Sequence, residues 1–230
     1  MCGRFTQRLS WPELHELMDL VGTPLNLRPR YNVAPGQDVA VVRAEEGGRG
    51  LAMLRWGLIP AWARDPTIAW KLINARSETA AQKPSFRSAF RHRRCLIPAD
   101  GFYEWERRGG VKQPWLFGLQ DGAPFAFAGL WETWTVPDDA ALTGSLAEHG
   151  PGDTIQTCTI LTTAANEAVA PVHGRMPVIL PRDSYAPWLA SEDVPLVPYP
   201  ADDMTAYPVS TLVNKAANED PRCVDPLPLA

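Results

Sequence analysis

The residue of this chain that is best suited to covalent chemistry is Cys2, in the opening Met1-Cys2-Gly3-Arg4-Phe5. Because cysteine is small, we expect methionine aminopeptidase to remove Met1, which would leave Cys2 with an α-amine and a thiol on adjacent carbons. Reference pKa values of about 7.7–8.0 and about 8.5 place both groups partly in their reactive forms near neutral pH. An aldehyde can form an imine with such an amine, and the sulfur can then close a thiazolidine ring. Position alone fits equally well a cysteine without a role at an untethered terminus.

Three further segments place a polar residue of catalytic type in apolar or Gly/Pro-rich surroundings. Asn74 separates an apolar run from a helix start, although it could simply cap that helix. Glu104 stands among three aromatic residues, and partial desolvation would raise its pKa towards the range of a general acid or base. The alternative is an edge-strand glutamate paired with Arg107 or Arg108. His173 lies in a loop before a glycine, where a side chain can enter a cleft or have no role at all.

Composition predicts one globular domain spanning residues 1–230, because 45% of the residues are hydrophobic and no linker divides the chain. No apolar run is long enough for a membrane span and no secretory leader is present, so we expect a cytoplasmic protein without a membrane partner. The four cysteines lie far apart, with no Cys/His cluster. We therefore expect no zinc site, no other metal, no cofactor and no disulfide framework.

The net charge of −4 conceals a segregation of charge along the chain. Nine Lys or Arg residues face four acids between Arg76 and Lys112, whereas eight acids face two bases from Asp183 to the end. A local basic face can bind phosphates whatever the total charge, although a solvated helix surface around Arg87–Arg94 explains the same pattern.

The pattern of apolar residues and turns predicts a β-rich α+β fold with antiparallel strands and short peripheral helices. A capping box at Ser10–Glu13 starts the first helix. Asp121-Gly122 predicts a hairpin within a central meander, and Pro137–Asp153 predicts a long loop. We expect strand residues within Asp38–Ala44, Leu51–Leu58, Cys95–Arg107, Gln113–Gln120, Pro124–Trp134, Thr154–Thr163 and Met176–Leu180, and short helices at Ser77–Gln82, Ser85–His92 and Ala164–Ala170.

Together the segments resemble the SOS response-associated peptidase family, also called abasic site processing proteins. The resemblance covers almost the whole chain and rests on several motifs in the expected order. They are MCGRF, RYNVAPGQ (Arg30–Gln37), WGLIPAWA (Trp56–Ala63), INARSET, RCLIPADGFYEW, FAGLWE, TILTTAAN (Thr159–Asn166), HGRMPVIL and PVSTLVN (Pro208–Asn214). The chain departs from the family pattern in a longer loop at Pro137–Asp153 and in the absence of an arginine from Val213–Asn218.

The resemblance implies a β-rich domain with a basic groove for single-stranded DNA that contains an abasic site. Cys2 matches the family's nucleophile, Asn74 the amide beside it, Glu104 the acid/base carboxylate and His173 the catalytic histidine. A thiolate next to Arg4 would also have a lowered pKa. The residues that match DNA contacts are Arg4, Arg76 and Arg175 for phosphates, Asn32 and Pro35 near the terminus, and Trp62 as a residue that could stack on bases.

Three functions follow as hypotheses. The first is an enzyme that crosslinks Cys2 to abasic sites in single-stranded DNA, with β-elimination (lyase cleavage) as a side reaction. The second is a cysteine-type peptidase or autopeptidase that uses Cys2, Glu104 and His173. The third is a non-covalent single-strand binding module. We expect a monomer that associates with the nucleoid when bound to DNA, and the sequence names no replication-fork partner.

Overall fold

Thirteen strands in two sheets form the framework of the protein, which is described here from a computed structural model covering residues 2–140 and 142–228. The strands are β1 (Phe5–Gln7), β2 (Arg30–Val33), β3 (Asp38–Glu45), β4 (Gly48–Trp56), β5 (Asn74–Arg76), β6 (Arg94–Ala99), β7 (Gly101–Arg108), β8 (Val111–Leu119), β9 (Phe125–Thr135), β10 (Thr154–Ala164), β11 (Arg175–Pro177), β12 (Ile179–Leu180) and β13 (Met204–Pro208). Most pairings are antiparallel, which confirms the predicted β-rich α+β class.

Five strands of the larger sheet close into a barrel. β3 pairs with β4 and β6, β6 pairs with β9, and β9 pairs with β10. A parallel pairing that sets Cys158 opposite Trp56 joins β10 to β4 and completes the ring. Apolar and aromatic side chains fill the core, where Phe5 packs edge-on against Trp56 and Phe127 with ring centroids 5.1 and 5.7 Å apart. Burial of Phe5 in this core fixes the backbone three residues after Cys2.

The smaller sheet, in the order β13-β8-β7-β1-β2, holds the N-terminal segment against β7. Phe5 lies opposite Phe102, and the Tyr103 N–H donates to the Arg4 carbonyl at 2.9 Å. Because side chains alternate along a strand, Glu104 lies on the same face of β7 as the buried Phe102. The pairing therefore brings Glu104 next to the start of the chain.

β10 brings together two of the predicted site segments. β5 pairs with it in parallel, with Asn74 opposite Ile160, and β11 pairs with it antiparallel, with Arg175 opposite Ala164. Asn74 and the loop that carries His173 are thus attached to one long strand.

Helices are short and peripheral. The predicted capping box is present, since the Ser10 N–H donates to the Glu13 carboxylate at 2.7 Å, and the helix that follows buries Leu14 and Met18. Among the described residues no helix combines the length and the hydropathy needed to cross a membrane. The α-helices are α1 (Trp11–Met18), α2 (Ser77–Ala80), α3 (Arg87–His92) and α4 (Tyr185–Leu189), and 3-10 helices lie at Pro66–Lys71, Gly144–Leu146, Arg182–Ser184, Ala201–Asp203, Thr211–Asn214 and Pro221–Val224.

Two local predictions are wrong. Asp121-Gly122 does not close a hairpin, because β8 and β9 belong to different sheets and this turn carries the chain from one sheet to the other. The expected helix at Ala164–Ala170 is a turn instead, in which the Asn166 carboxamide accepts from the Val169 N–H and donates to the Tyr199 carbonyl. In both places a long-range contact overrides the local signal.

Candidate active site

Cys2 is fully buried at the entry to β1. The Asn74 side-chain amide donates to its carbonyl at 2.7 Å, and its thiol approaches the Arg4 carbonyl at 3.8 Å. Burial raises the pKa of the thiol far above its usual range, and the negative charge of Glu104 raises it further. The expectation of a thiolate stabilised by Arg4 is therefore wrong, because the Arg4 guanidinium is bound elsewhere. Met1 lies outside the described residues.

Glu104 is 3% exposed and sits on β7, an interior strand of its sheet, so the alternative of an edge-strand glutamate is wrong. Burial raises its pKa, and the positive form of His173 opposes this change. The predicted desolvation is confirmed. A carboxyl group with a raised pKa keeps its proton closer to neutral pH, which is the property that a general acid needs.

His173 is oriented by its own loop. The backbone N–H of His173 donates to the Val169 carbonyl at 3.0 Å, and the backbone N–H of Arg175 donates to the ring Nδ1 of His173 at 3.0 Å. The same Nδ1 lies 3.1 Å from the Arg175 carbonyl oxygen, so whether this nitrogen accepts or donates depends on the tautomer of the ring. The charge of His173 acts on Glu104 and that of Glu104 acts on Cys2, so Glu104 lies within electrostatic reach of both groups.

A cleft of about 420 Å³ opens beside Glu104 and His173. Three of its lining side chains are cationic, namely Arg4, Arg107 and Lys112. Sequence reasoning missed Arg107 and Lys112 as individual site residues, although both belong to the basic stretch, and it also missed Asn214. The full lining is Arg4, Glu104, Trp105, Arg107, Lys112, His173 and Asn214.

The Arg4 guanidinium is fixed by three neighbours. It donates to the Asn32 side-chain oxygen at 2.6 Å and to the Val213 carbonyl at 2.7 Å, and it lies 5.8 Å from the Trp105 ring centroid. Asn32 is fully buried, and its amide nitrogen faces three backbone carbonyls between Val213 and Asn218. This geometry favours a positioning role for Asn32.

The other predicted DNA contacts differ in accessibility. Arg175 forms a bidentate ion pair with Glu78, at 2.9 Å through Nη2, and also donates to the Thr162 carbonyl at 2.6 Å. Arg76 is exposed at the end of β5.

Pro35 and Trp62 do not belong to the lining of the cleft beside Glu104. Pro35 lies half-buried in the turn after β2, and Trp62 is 60% exposed next to a shallow pocket that includes Lys71. No group of three or more His, Cys, Asp or Glu side chains within residues 2–140 and 142–228 could hold a metal ion.

The barrel with its attached five-stranded sheet holds a buried cysteine, whose carbonyl binds the Asn74 amide and whose thiol lies within electrostatic reach of Glu104. A family model described as SOS response associated peptidase (SRAP) matches residues 1–216. The chain belongs to that family.

Relatives of known name and structure support this assignment. "Abasic site processing protein YoqW" of Bacillus subtilis is 41% identical over 98% of this chain and 99% of its own length. "Abasic site processing protein HMCES" of Gallus gallus is 33% identical over 88% of this chain and 67% of its own length. A Bordetella bronchiseptica structure superposes with a TM-score of 0.73 at 30% identity, covering 91% of this chain and 100% of that one. A Bacteroides thetaiotaomicron structure, at 24% identity over 98% of this chain and 100% of that one, shares the fold with a TM-score of 0.85.

Proposed function

We propose that the protein recognises abasic sites in single-stranded DNA and binds them covalently as a thiazolidine through Cys2, after removal of Met1. The observation that carries the proposal is the buried Cys2, whose carbonyl is held by Asn74 and whose thiol lies within electrostatic reach of Glu104. Glu104 in turn lines one cleft together with His173. The substrate class is supported by the relatives, which are named abasic site processing proteins.

The charge of the cleft suits a DNA backbone. The cleft is lined by Arg4, Arg107 and Lys112. Arg76, two residues after Asn74 on β5, is exposed as well. Such contacts supply affinity that depends on salt but not on base sequence, as a lesion binder needs. DNA contacts through Asn32, Pro35, Trp62 and Arg175 belong to the same proposal, with Asn32 acting through Arg4.

The raised pKa values of Glu104 and of the Cys2 thiol suit an aminothiol mechanism better than a thiolate mechanism. Protonated Glu104 donates a proton to the ring oxygen of the abasic sugar, and its carboxylate then accepts the proton of the C1′ hydroxyl, so the ring opens to the C1′ aldehyde and the acid is restored. The α-amine of Cys2 attacks C1′, and the carbinolamine loses its hydroxyl and the remaining N–H proton as water to give an imine. The sulfur then bonds to C1′ while Glu104 protonates the imine nitrogen and takes up the thiol proton. One water molecule is released overall.

Asn74 holds the reacting residue in one orientation. Its amide nitrogen binds the Cys2 carbonyl, and its side-chain oxygen is buried and accepts no hydrogen bond from residues 2–140 or 142–228. That oxygen is suited to accept from the α-amine. Fixing amine and thiol together makes ring closure an intramolecular step with a high effective molarity.

A side reaction belongs to the same proposal, with His173 as its base. If the imine escapes capture by sulfur, a base near C2′ can remove a proton there, and β-elimination then expels the 3′ phosphate. The DNA strand is cleaved in that event. Purified protein that gives only crosslinked and uncleaved DNA would argue against such lyase activity.

A denaturing gel tests the proposal with Met1-processed protein and single-stranded DNA that contains an abasic site. We expect a heat-stable shifted band that disappears with Cys2→Ala and persists with the matched control Cys223→Ala, which removes another buried thiol. Acetylation of the α-amine should abolish the stable band as well. Binding without a covalent band would favour a single-strand binding module instead, and cleavage of supplied peptides would favour a peptidase.

A further inference from the structure

A second cleft, of about 180 Å³, lies beside the 3-10 helix Pro66–Lys71 and includes an exposed indole and a guanidinium. Trp70 is 59% exposed, which is unusual for so large an apolar side chain. Its ring lies on Gly36, where an added Cβ would stand 2.7 Å from the indole and 3.3 Å from the Arg55 guanidinium. Gly36 also has φ +83°, so the position favours glycine both by its backbone and by this close approach.

A hydrogen bond from Arg55 connects this cleft to the long loop Pro137–Asp153. Its guanidinium donates to the Ser145 hydroxyl at 2.7 Å, and Thr143 and Gly144 complete that wall. Burial lowers the pKa of Arg55, while the negative charge of Asp38 opposes this change. The cleft thus offers a flat aromatic face beside a cationic donor.

The back wall of this cleft is shared with the Cys2 site. Trp56 lines the cleft, accepts the Gly36 N–H at 2.7 Å through its carbonyl, and packs against Phe5 on its other side. Its indole N–H donates at 2.8 Å to the Ile73 carbonyl, immediately before the amide that holds Cys2. The cleft and the residues that hold Cys2 are therefore connected through one buried side chain.

We propose that this cleft is a subsite for one flanking nucleotide of the bound strand, with Trp70 stacking on its base and Arg55 contacting its phosphate. The inference rests on the proposed function and extends it. Stacking on an aromatic platform accepts any base, which suits a protein that must act in every sequence context. The preference of the subsite is for the presence of a base rather than for its identity.

The test uses oligonucleotides with a central tetrahydrofuran, a stable abasic analogue, and a second tetrahydrofuran placed at each flanking position in turn. Wild-type protein should bind about tenfold more weakly when the base over Trp70 is missing, given about 1–3 kcal/mol for each stacked base. Trp70→Ala should bind the oligonucleotide with only the central tetrahydrofuran about tenfold more weakly than wild type does. It should also lose the dependence on the position of the second tetrahydrofuran, whereas Trp70→Phe should retain it. Arg55→Gln should reduce the slope of log K against log salt concentration by about one, which corresponds to the loss of one phosphate contact.

Arg222→Gln, which removes an exposed arginine of another surface, is the matched control and should bind like wild type. The inference fails if Trp70→Ala binds like wild type or keeps the wild-type positional profile. Crosslinking of wild type to a true abasic site, measured in parallel, separates the two proposals. An unchanged profile with intact crosslinking overturns only the subsite, and an absent crosslink overturns the proposed function.

Discussion

Replacing Asn32 by alanine tests whether one buried amide holds both Arg4 and the C-terminal segment. Asn32 accepts from Arg4 at 2.6 Å, and its amide nitrogen lies 3.3, 3.0 and 2.8 Å from the carbonyl oxygens of Val213, Lys215 and Asn218. Alanine leaves the Arg4 guanidinium and the carbonyl oxygens of Lys215 and Asn218 without this partner, whereas the Val213 carbonyl still accepts from Arg4. We therefore expect a loss of stability together with a loss of Arg4 orientation.

The size of the loss follows from the number of bonds. The amide has two N–H groups, so it can satisfy two of the three carbonyls fully, at about 1 kcal/mol each, and the charge-assisted bond to Arg4 contributes about 2 kcal/mol. The Asn32→Ala variant should lose about 4 kcal/mol of unfolding free energy. For a chain of this length each kcal/mol corresponds to about 2–4 °C in Tm, so the expected decrease is about 8–16 °C.

Thermal unfolding followed by circular dichroism measures this difference. Asn26→Ala, at an exposed asparagine, is the matched control and should change stability by less than about 0.5 kcal/mol. Asn32→Asp keeps the acceptor for Arg4 but sets a carboxylate against three carbonyls. It should be destabilised at neutral pH, because the amide donors are lost and a carboxylate faces the carbonyl oxygens. An Asn32→Ala variant within 1 kcal/mol of wild type would refute the reasoning.

Three further predictions concern the site. Glu104→Gln should slow crosslinking by about 100-fold or more through loss of the acid. It should also raise Tm at neutral pH, because the raised pKa of Glu104 means that the folded state disfavours the ionised carboxylate. That gain should disappear below the ordinary pKa of 4.5, and a pH series of Tm values that shows no such trend would contradict the assignment. Glu78→Gln should free Arg175 for a phosphate, strengthen binding of single-stranded DNA about two- to five-fold and steepen its salt dependence; an unchanged salt slope in a binding titration would argue against it. Asn74→Ala should slow crosslinking about 100-fold while leaving DNA affinity near wild type, whereas equal losses in both assays would point to a general loss of structure.

Local patterns in the sequence predicted the fold class well. Alternating apolar residues located the strands of the barrel, and the capping box located α1, because both depend on neighbouring residues. The order of strands depends on pairings that are distant in the chain. Closure of the barrel through β10 and β4, and the passage of Asp121-Gly122 between sheets, could not be read from periodicity.

The candidate active site could likewise be predicted only in part. The burial of Glu104 could be predicted from its aromatic neighbours, and only the resemblance to the family predicted that Cys2, Asn74 and His173 belong to one site. The raised pKa of the Cys2 thiol could not be predicted, because it depends on the three-dimensional enclosure of the terminus. The exposed position of Trp70 could not be predicted either, because its ring lies on Gly36, which is distant in the sequence.

The burial of Cys2 also has a consequence for its durability. Peroxide and other oxidants attack the thiolate form of cysteine, and they need access to the sulfur. Cys2 is fully buried and its pKa is raised, so very little thiolate is exposed at neutral pH. The protein should therefore keep this sulfur reduced under oxidative stress, when surface thiols of other proteins are converted to sulfenic acids.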